Sequence, residues 1–498
     1  MKPITMRHLI ISIGILAICF SQNQLLAQKK KAANKKDLNY KISFYLPNIP
    51  DSVLYIANYY GEHTYLRDTI RPLNNKNPYT FVFQGMDTIK RGVYILVSQD
   101  NSKYMEFLID SSLFFNVIAE NIDPEKPNLS NNLKFENSPE NTIFHQYTNY
   151  AMSLQGSGAS VNKKMREEMS KSTPDQELVE SYRSQLKTVY DSMQSYTRRF
   201  IQENPTNLFA KAQKLSQDIE IPDEKPEGYP DTNWQHMYYY THYWDNCDFT
   251  DNALVYTPVF HHRLTQYYDK VIHPSIDSLI KYSDVLIDKS KNTPELYKYI
   301  VWYLSNRFER SSYIGHDAIF VHLIRNYYQK GLCPWVDETV LEHMIGKADM
   351  LEPILIGKKA PWLIMPDVNG KFHTNYDFNH VEFTIMYFWD TDCGHCKQQT
   401  PKMLEFYNRA KDSLSFDIFA ICLTSDSIKW RNYLLDKNLP WLNVGNNKAN
   451  IDFREAYDIK ASPRFYILNR DKKIIVKNID FDHIEEFLTK YRKGEIKF

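Results

Sequence analysis

Two cysteines separated by two residues, Cys393 and Cys396, stand where a continuous apolar and aromatic run gives way to a helix-forming stretch. The run over residues 381–389 shows no alternation, which fits a strand buried on both faces in the middle of a sheet. A strand that feeds directly into a helix puts Cys393 at the helix N-terminus. Unpaired backbone N–H groups and the helix dipole stabilise an anion there. A thiolate is such an anion, so Cys393 is expected below the free thiol value of about 8.5 and is the expected nucleophile. Cys396 lies one turn further in, placed to attack a mixed disulfide. Gly394 keeps the turn open, and His395, if protonated, adds positive charge beside the thiolate. Favouring the thiolate favours the reduced form and makes the disulfide more oxidising.

The rest of the C-terminal region, residues 352–498, has mixed strand and helix signals. Asn369-Gly370 marks a hairpin between residues 362–365 and 372–374. A helix is expected from the cysteine pair to about Asp412, a buried strand over 416–424 and a helix over 428–436. A short strand over 441–444, a helix near 451–457, a hairpin of 464–468 with 473–476, and a final helix capped by Asp482 complete it. That order describes an α/β domain with helices on both faces of one sheet.

Upstream, the period differs. Short strands over 40–46, 52–58, 79–84, 92–98, 103–109 and 112–119 predict an antiparallel β-sandwich domain spanning 38–136. Apolar residues at three- and four-residue steps over 142–154, 176–203, 259–289, 294–308 and 318–329 predict an α-helical domain over 137–351. A chain of 498 residues is expected to divide in this way.

The first residues read as a targeting signal: Lys2, Arg7 and His8, then an apolar run over 9–20 too short to span a bilayer of roughly 30 Å. Cleavage after Ala27 gives an exported, soluble protein with a basic linker over 28–37. A lipid on Cys19 is the alternative, disfavoured by bulky Ile18 before it. Lys+Arg and Asp+Glu balance at 60 each, so no global charge points to nucleic acid. Five cysteines survive cleavage, too few for a disulfide-stapled scaffold.

The strand over 384–389, the CGHC pair, Lys397 and Pro401 resemble the thioredoxin superfamily. The preceding hairpin and the long insert before Ser462-Pro463 resemble its TlpA/ResA-like branch of exported thiol–disulfide oxidoreductases. The resemblance implies that Pro463 is a cis-proline packed against Cys393, offering backbone groups to an extended substrate. It implies a redox-active Cys393–Cys396 disulfide with no other cofactor, disulfide-containing envelope proteins as substrates, and a membrane thiol carrier as the electron source. Reduction or isomerisation is the implied direction. Asp392 stands where the family has Trp, and its charge is expected to oppose the thiolate. Gln399 replaces the branch's Glu, and Tyr387 replaces thioredoxin's buried acid. The sandwich, through the stretch over 137–144, and the aromatic helical region resemble domains fused to such envelope proteins.

Other readings of the same residues are weaker. Zinc needs four ligands, and no second pair at short spacing accompanies Cys393 and Cys396. His242, His261, His262 and His343 lack metal-ligand spacing and read as surface or core histidines. Cys422 lies in a buried strand. Cys247 and Cys333 are either free thiols or a second bridge. The cluster Tyr238, Tyr239, Tyr240, Tyr243 and Trp244 packs helices or grips an extended partner. Asp392 and Gln399 also suit a second hypothesis, an envelope binding or assembly protein carrying a vestigial redox domain.

Overall fold

The computed structural model describes residues 38–47, 49–74, 77–119, 133–445 and 448–496. The targeting signal, Cys19 and the basic linker lie outside them. The chain divides into two compact units, Met1–Val271 and Ile272–Phe498.

Among its described residues, the first unit opens with nine strands: β1 (Tyr40–Tyr45), β2 (Leu54–Tyr60), β3 (His63–Ile70), β4 (Pro72–Asn74), β5 (Asn77–Gly85), β6 (Gly92–Val97), β7 (Lys103–Ile109), β8 (Phe114–Ala119) and β9 (Leu133–Glu136). They form two sheets, ordered β4-β5-β1-β8-β9 and β3-β2-β6-β7. Ile42, Phe44 and Phe83 of the first meet Ile56, Leu96 and Phe107 of the second in one core, so the sandwich is present. It is not wholly antiparallel as expected. β1 and β8 run parallel, Ile42 opposite Phe115. A parallel pair needs a long crossover, and the passage through β2 to β7 supplies it. Strand β3 escaped the sequence reading because it is an edge strand with mostly exposed side chains and so shows no apolar face.

Helices α1 (Pro139–Met169), α2 (Gln176–Glu203), α3 (Leu208–Ser216), α4 (Trp234–His242) and α5 (Pro258–Gln266) follow. Phe144, Tyr147, Phe200 and Phe209 cover the second face of the β3-β2-β6-β7 sheet, against Val93, Ile95 and Leu108. Buried Asn141 fixes this junction: its amide donates to the Leu108 carbonyl (2.8 Å) and its carbonyl accepts from the Leu108 N–H (2.7 Å). The single helix expected over 259–289 is broken. A π turn at Tyr267–Val271 ends its first half, and α6 (Ile276–Ser290) restarts on Ser275, whose hydroxyl accepts from the Ser278 N–H. Pro274 lacks the N–H that a continuous helix would use.

In the second unit, α6, α7 (Pro294–Glu309), α8 (Asp317–Leu323) and α9 (Glu338–Leu351) precede β10 (Ile364–Pro366) and β11 (Phe372–Thr374). Then come β12 (Phe383–Trp389), α10 (Gly394–Leu414), β13 (Phe416–Cys422), α11 (Ser427–Lys437), β14 (Leu442–Val444), α12 (Phe453–Ala456), β15 (Arg464–Leu468), β16 (Ile474–Lys477) and α13 (Ile484–Arg492). The main sheet is ordered β14-β13-β12-β15-β16, with β12, β13 and β14 parallel and the last two strands antiparallel. β12 is the middle strand and is buried at every position.

One face of that strand, through Ile385, Tyr387 and Trp389, packs on α10, α11 and α13. On the other, Phe388 meets Phe453 and Tyr457. Along α10 the buried residues Met403, Phe406, Tyr407 and Ala410 follow the i, i+3, i+4, i+7 spacing of a helix face. Each large side chain there contributes about 1.5–3 kcal/mol. Cys396 and Thr400 continue the same stripe towards the N-terminus, which is why Cys396 is buried. Both sheet edges are covered. Gly357 and Ala360 donate to Ile474 and Lys472 carbonyls beside β16, and Gly445 donates to Pro366 beside β14. Asp482 does not cap the last helix; it lies in a 3-10 turn, Phe481–His483, and α13 begins without a side-chain cap.

Candidate active site

β12 and β13 end side by side, Trp389 opposite Cys422, and the chain leaves β12 through Asp390 into α10. The Asp390 carboxylate accepts from the Asp392 N–H (2.8 Å) and its carbonyl accepts from the Cys393 N–H (3.3 Å), which shapes the turn. Cys393 is the N-cap of α10, and its Sγ accepts the Cys396 N–H at 3.1 Å. The thiol also reaches the Ser462 carbonyl at 3.4 Å, and the Ser462–Pro463 bond is cis. Cys393, Cys396, Ser462 and Pro463, distant in sequence, therefore share one site. Cys393 is half-buried, whereas Cys396 is 0% exposed.

Burial works against a Cys393 thiolate. Hydrogen bonds from the Cys396 thiol and amide, and from the His395 amide, outweigh it and hold Cys393 below the ordinary cysteine value. Burial, then the bond to Cys393, pushes Cys396 up to about 12. The two thiols are thus driven apart into a nucleophile and a reserve. His395 is exposed on the first turn, and its backbone N–H is what reaches Cys393. A Cβ on Gly394 would meet nothing within 4 Å, and its φ is ordinary, so this chain's packing does not require glycine to keep the turn open.

The expected opposition from Asp392 is offset by a residue the sequence reading missed. Lys429, in the first turn of α11, pairs with the exposed Asp392 carboxylate. That bond holds Asp392 below its usual value. Lys429→Ala leaves the negative charge beside Cys393 uncompensated. Because the pair is exposed, we expect only about two- to threefold slower alkylation of Cys393 at neutral pH, with the difference shrinking as salt rises. Rates measured with iodoacetamide at two ionic strengths check this.

Behind Cys396 the site is aromatic and polar without a carboxylate side chain on the helix stripe. Thr400 Oγ1 donates to the Cys396 carbonyl (2.8 Å), and the Tyr433 hydroxyl donates to Thr400 (3.4 Å). Tyr387 stacks on Phe465, centroids 4.9 Å apart. The Tyr387 hydroxyl and Gln399 Oε1 are buried and form no hydrogen bond. Cys422 is fully buried, and burial pushes it up to about 12.

The remaining sequence candidates are outside the site. Cys247 and Cys333 are not bridged to each other, and burial pushes Cys333 up to about 12. His242 pairs with Asp245 (2.6 Å), His261 lies 3.6 Å from Glu62, and His343 is exposed. Among the described residues no group of three or more His, Cys, Asp or Glu is placed to hold a metal ion. Tyr243 is buried between the Arg263 guanidinium (3.8 Å) and Tyr267 (4.9 Å), which is packing. No helix among the described residues is long and apolar enough to cross a membrane.

The family model described as thioredoxin-like matches residues 382–474, and a domain of unknown function (DUF5106) matches 180–352. A solved domain of a possible thiol-disulfide isomerase from Cytophaga hutchinsonii is 36% identical, over 29% of this chain and 97% of that one, with a TM-score of 0.27. A thioredoxin-like protein from Bacteroides caccae is 18% identical over 55% of this chain and 98% of that one, TM-score 0.43. A thiol-disulfide oxidoreductase from Bacteroides fragilis is 19% identical over 27% and 99%, TM-score 0.24. The search of curated proteins found no match.

Proposed function

We propose, from the premise that the chain belongs to the thioredoxin-like family of thiol–disulfide oxidoreductases, that it exchanges disulfides with other proteins through Cys393 and Cys396. The observation that carries this reading is geometric: half-buried Cys393 caps α10, its Sγ accepts the Cys396 N–H at 3.1 Å and reaches the Ser462 carbonyl at 3.4 Å, and Cys396 is buried one turn further in. Cys393 as thiolate attacks a substrate disulfide. One substrate sulfur leaves as a thiolate and takes up a proton, while the other stays bonded to Cys393. Cys396 then attacks Cys393, the mixed disulfide breaks, and the proton of Cys396 ends on the second substrate sulfur. The substrate has gained two electrons and the pair has become a disulfide.

The targeting signal read from the sequence supports export and envelope substrates, with a membrane thiol carrier returning the pair to its reduced form. Reduction or isomerisation is the favoured direction. His395, exposed beside Cys393, and the Ser462–Pro463 backbone are the groups that would meet a substrate strand.

The test is the pH profile of alkylation of the reduced full chain, read by mass at each cysteine. Cys393 is expected to reach half its maximal rate below the value of about 8.5 for a free cysteine, while Cys396 stays unmodified at neutral pH. Cys393 reacting no faster than a free thiol, or Cys396 reacting first, contradicts the assignment.

A further inference from the structure

A buried thiol that must become an anion needs a donor at the moment it does so. Thioredoxin-like chemistry at Cys396 has no carboxylate side chain on its helix face here, yet a buried hydroxyl in the same core has no partner of its own. The Tyr387 hydroxyl, on a side chain only 1% exposed, meets no partner at full hydrogen-bond geometry, yet the Cys396 thiol and the Thr400 hydroxyl lie near enough to act on it as hydrogen-bonding neighbours. An orphaned buried hydroxyl is costly unless it is used. Its neighbours hold it in place: the ring stacks flat between Phe465 (interplanar angle 7°) and Trp389 (13°). Thr400 is itself tied to the Cys396 carbonyl and to Tyr433.

We propose that the Tyr387 hydroxyl is a further hydrogen-bond donor that receives the Cys396 sulfur as it turns anionic, doing by donation part of what a buried carboxylate does elsewhere by accepting a proton. The inference rests on the thiol–disulfide reading above and deepens it. In the closing step the S–S bond between Cys396 and Cys393 forms and the bond from Cys393 to the substrate sulfur breaks. The proton leaves Cys396 for the departing substrate thiolate, and Tyr387 keeps its own proton throughout. Burial raises the Tyr387 hydroxyl well above an ordinary tyrosine, with the Cys396 charge adding to it, so it remains a donor across the working pH range.

The groups that face Cys396 are Cys393 on its own helix, Tyr387 of β12, Asp390 in the following turn, Cys422 of β13 and Ser462 beside the cis-proline. Tyr433 of α11 stands behind Thr400. Asp390 is the acid among them; its backbone and the Ser462 side chain favour the Cys396 anion by hydrogen bonding, and Tyr387 approaches from the β12 side.

The experiment gives the reduced full chain, carrying Cys247→Ser to remove a half-buried thiol, one equivalent of an aromatic disulfide with a coloured thiolate. Attack by Cys393 releases the first coloured equivalent and closure by Cys396 releases the second. Tyr387→Phe is expected to leave the first release within about twofold, slow the second about tenfold at pH 7, and move the midpoint of its pH profile upward. Its melting temperature should be unchanged or higher, since only an unpaired hydroxyl is lost. If Tyr387→Phe melts lower instead, Thr400→Val reads the same second phase and should slow it. A second phase and midpoint unchanged in these variants overturn the role of Tyr387 while leaving the redox reading intact. A chain with Tyr387 present that releases a single equivalent overturns both.

Discussion

Cys393→Ser is expected to reduce disulfide exchange at least about a thousandfold, because it removes the sulfur that forms the first covalent bond. The effect should be on chemistry and not on folding. Cys393 is half-buried, serine is nearly isosteric, and a serine oxygen at an N-cap still accepts the Cys396 N–H. Cys396→Ser behaves differently. It keeps the nucleophile at the helix N-terminus and loses only closure, so a mixed disulfide on Cys393 should accumulate and survive non-reducing electrophoresis. Reduction of a protein disulfide by a dithiol, followed with each variant, measures the first effect. Mass analysis of the adduct measures the second. More than a tenth of the activity remaining in Cys393→Ser would place the chemistry on another thiol.

Asp317→Ala should destabilise the unit of residues 272–498 by about 3–5 kcal/mol. Lys477, on the outer strand β16, is 4% exposed, and its ammonium group pairs with Asp317 in the first turn of α8. A carboxylate there is also favoured by the helix dipole. Removing it leaves a buried cation without its partner, which costs far more than the pair is worth. The double change Asp317→Ala with Lys477→Met should recover most of the loss, since no charge is then left buried. Hydrogen exchange at the β16 amides is the suitable readout, because unfolding of a chain with two compact units is not a single transition. Equal exchange in the single variant and the unmodified chain would show that Lys477 finds water or another acceptor. The pair also binds the α6–α9 helices to the thioredoxin-like sheet within one unit.

The thioredoxin-like part was legible because its signals are local. A continuous apolar run announces a strand buried on both faces, and β12 is buried throughout. Asn-Gly places a hairpin, and β10 pairs with β11 around it. Cys393 at a strand-to-helix junction states its own chemistry. What escaped depends on which residues meet in space. Lys429 lies 37 residues from Asp392, and only the packing of α11 beside the site brings them together. The parallel pairing of β1 with β8 follows from the path of the intervening strands between two sheets, which periodicity in β1 or β8 does not encode. The break before α6 was marked by Pro274, but apolar residues at helical spacing on both sides masked it. Tyr387 was visible as a missing acid, whereas its unpartnered hydroxyl beside Cys396 is a property of the folded site.

A redox titration of the Cys393–Cys396 pair in the full chain tests the central claim most directly. The chain is equilibrated in dithiol–disulfide buffers, the remaining thiols are alkylated, and the state of each cysteine is read by mass. The pair should titrate as one two-electron couple, roughly 30 mV per tenfold change in the ratio, with a midpoint between roughly −270 and −120 mV. Cys333 and Cys422 should stay reduced throughout. A pair that stays locked as thiols or as a disulfide across that range would contradict an enzyme. It would favour instead a binding protein that has kept the fold and lost the chemistry.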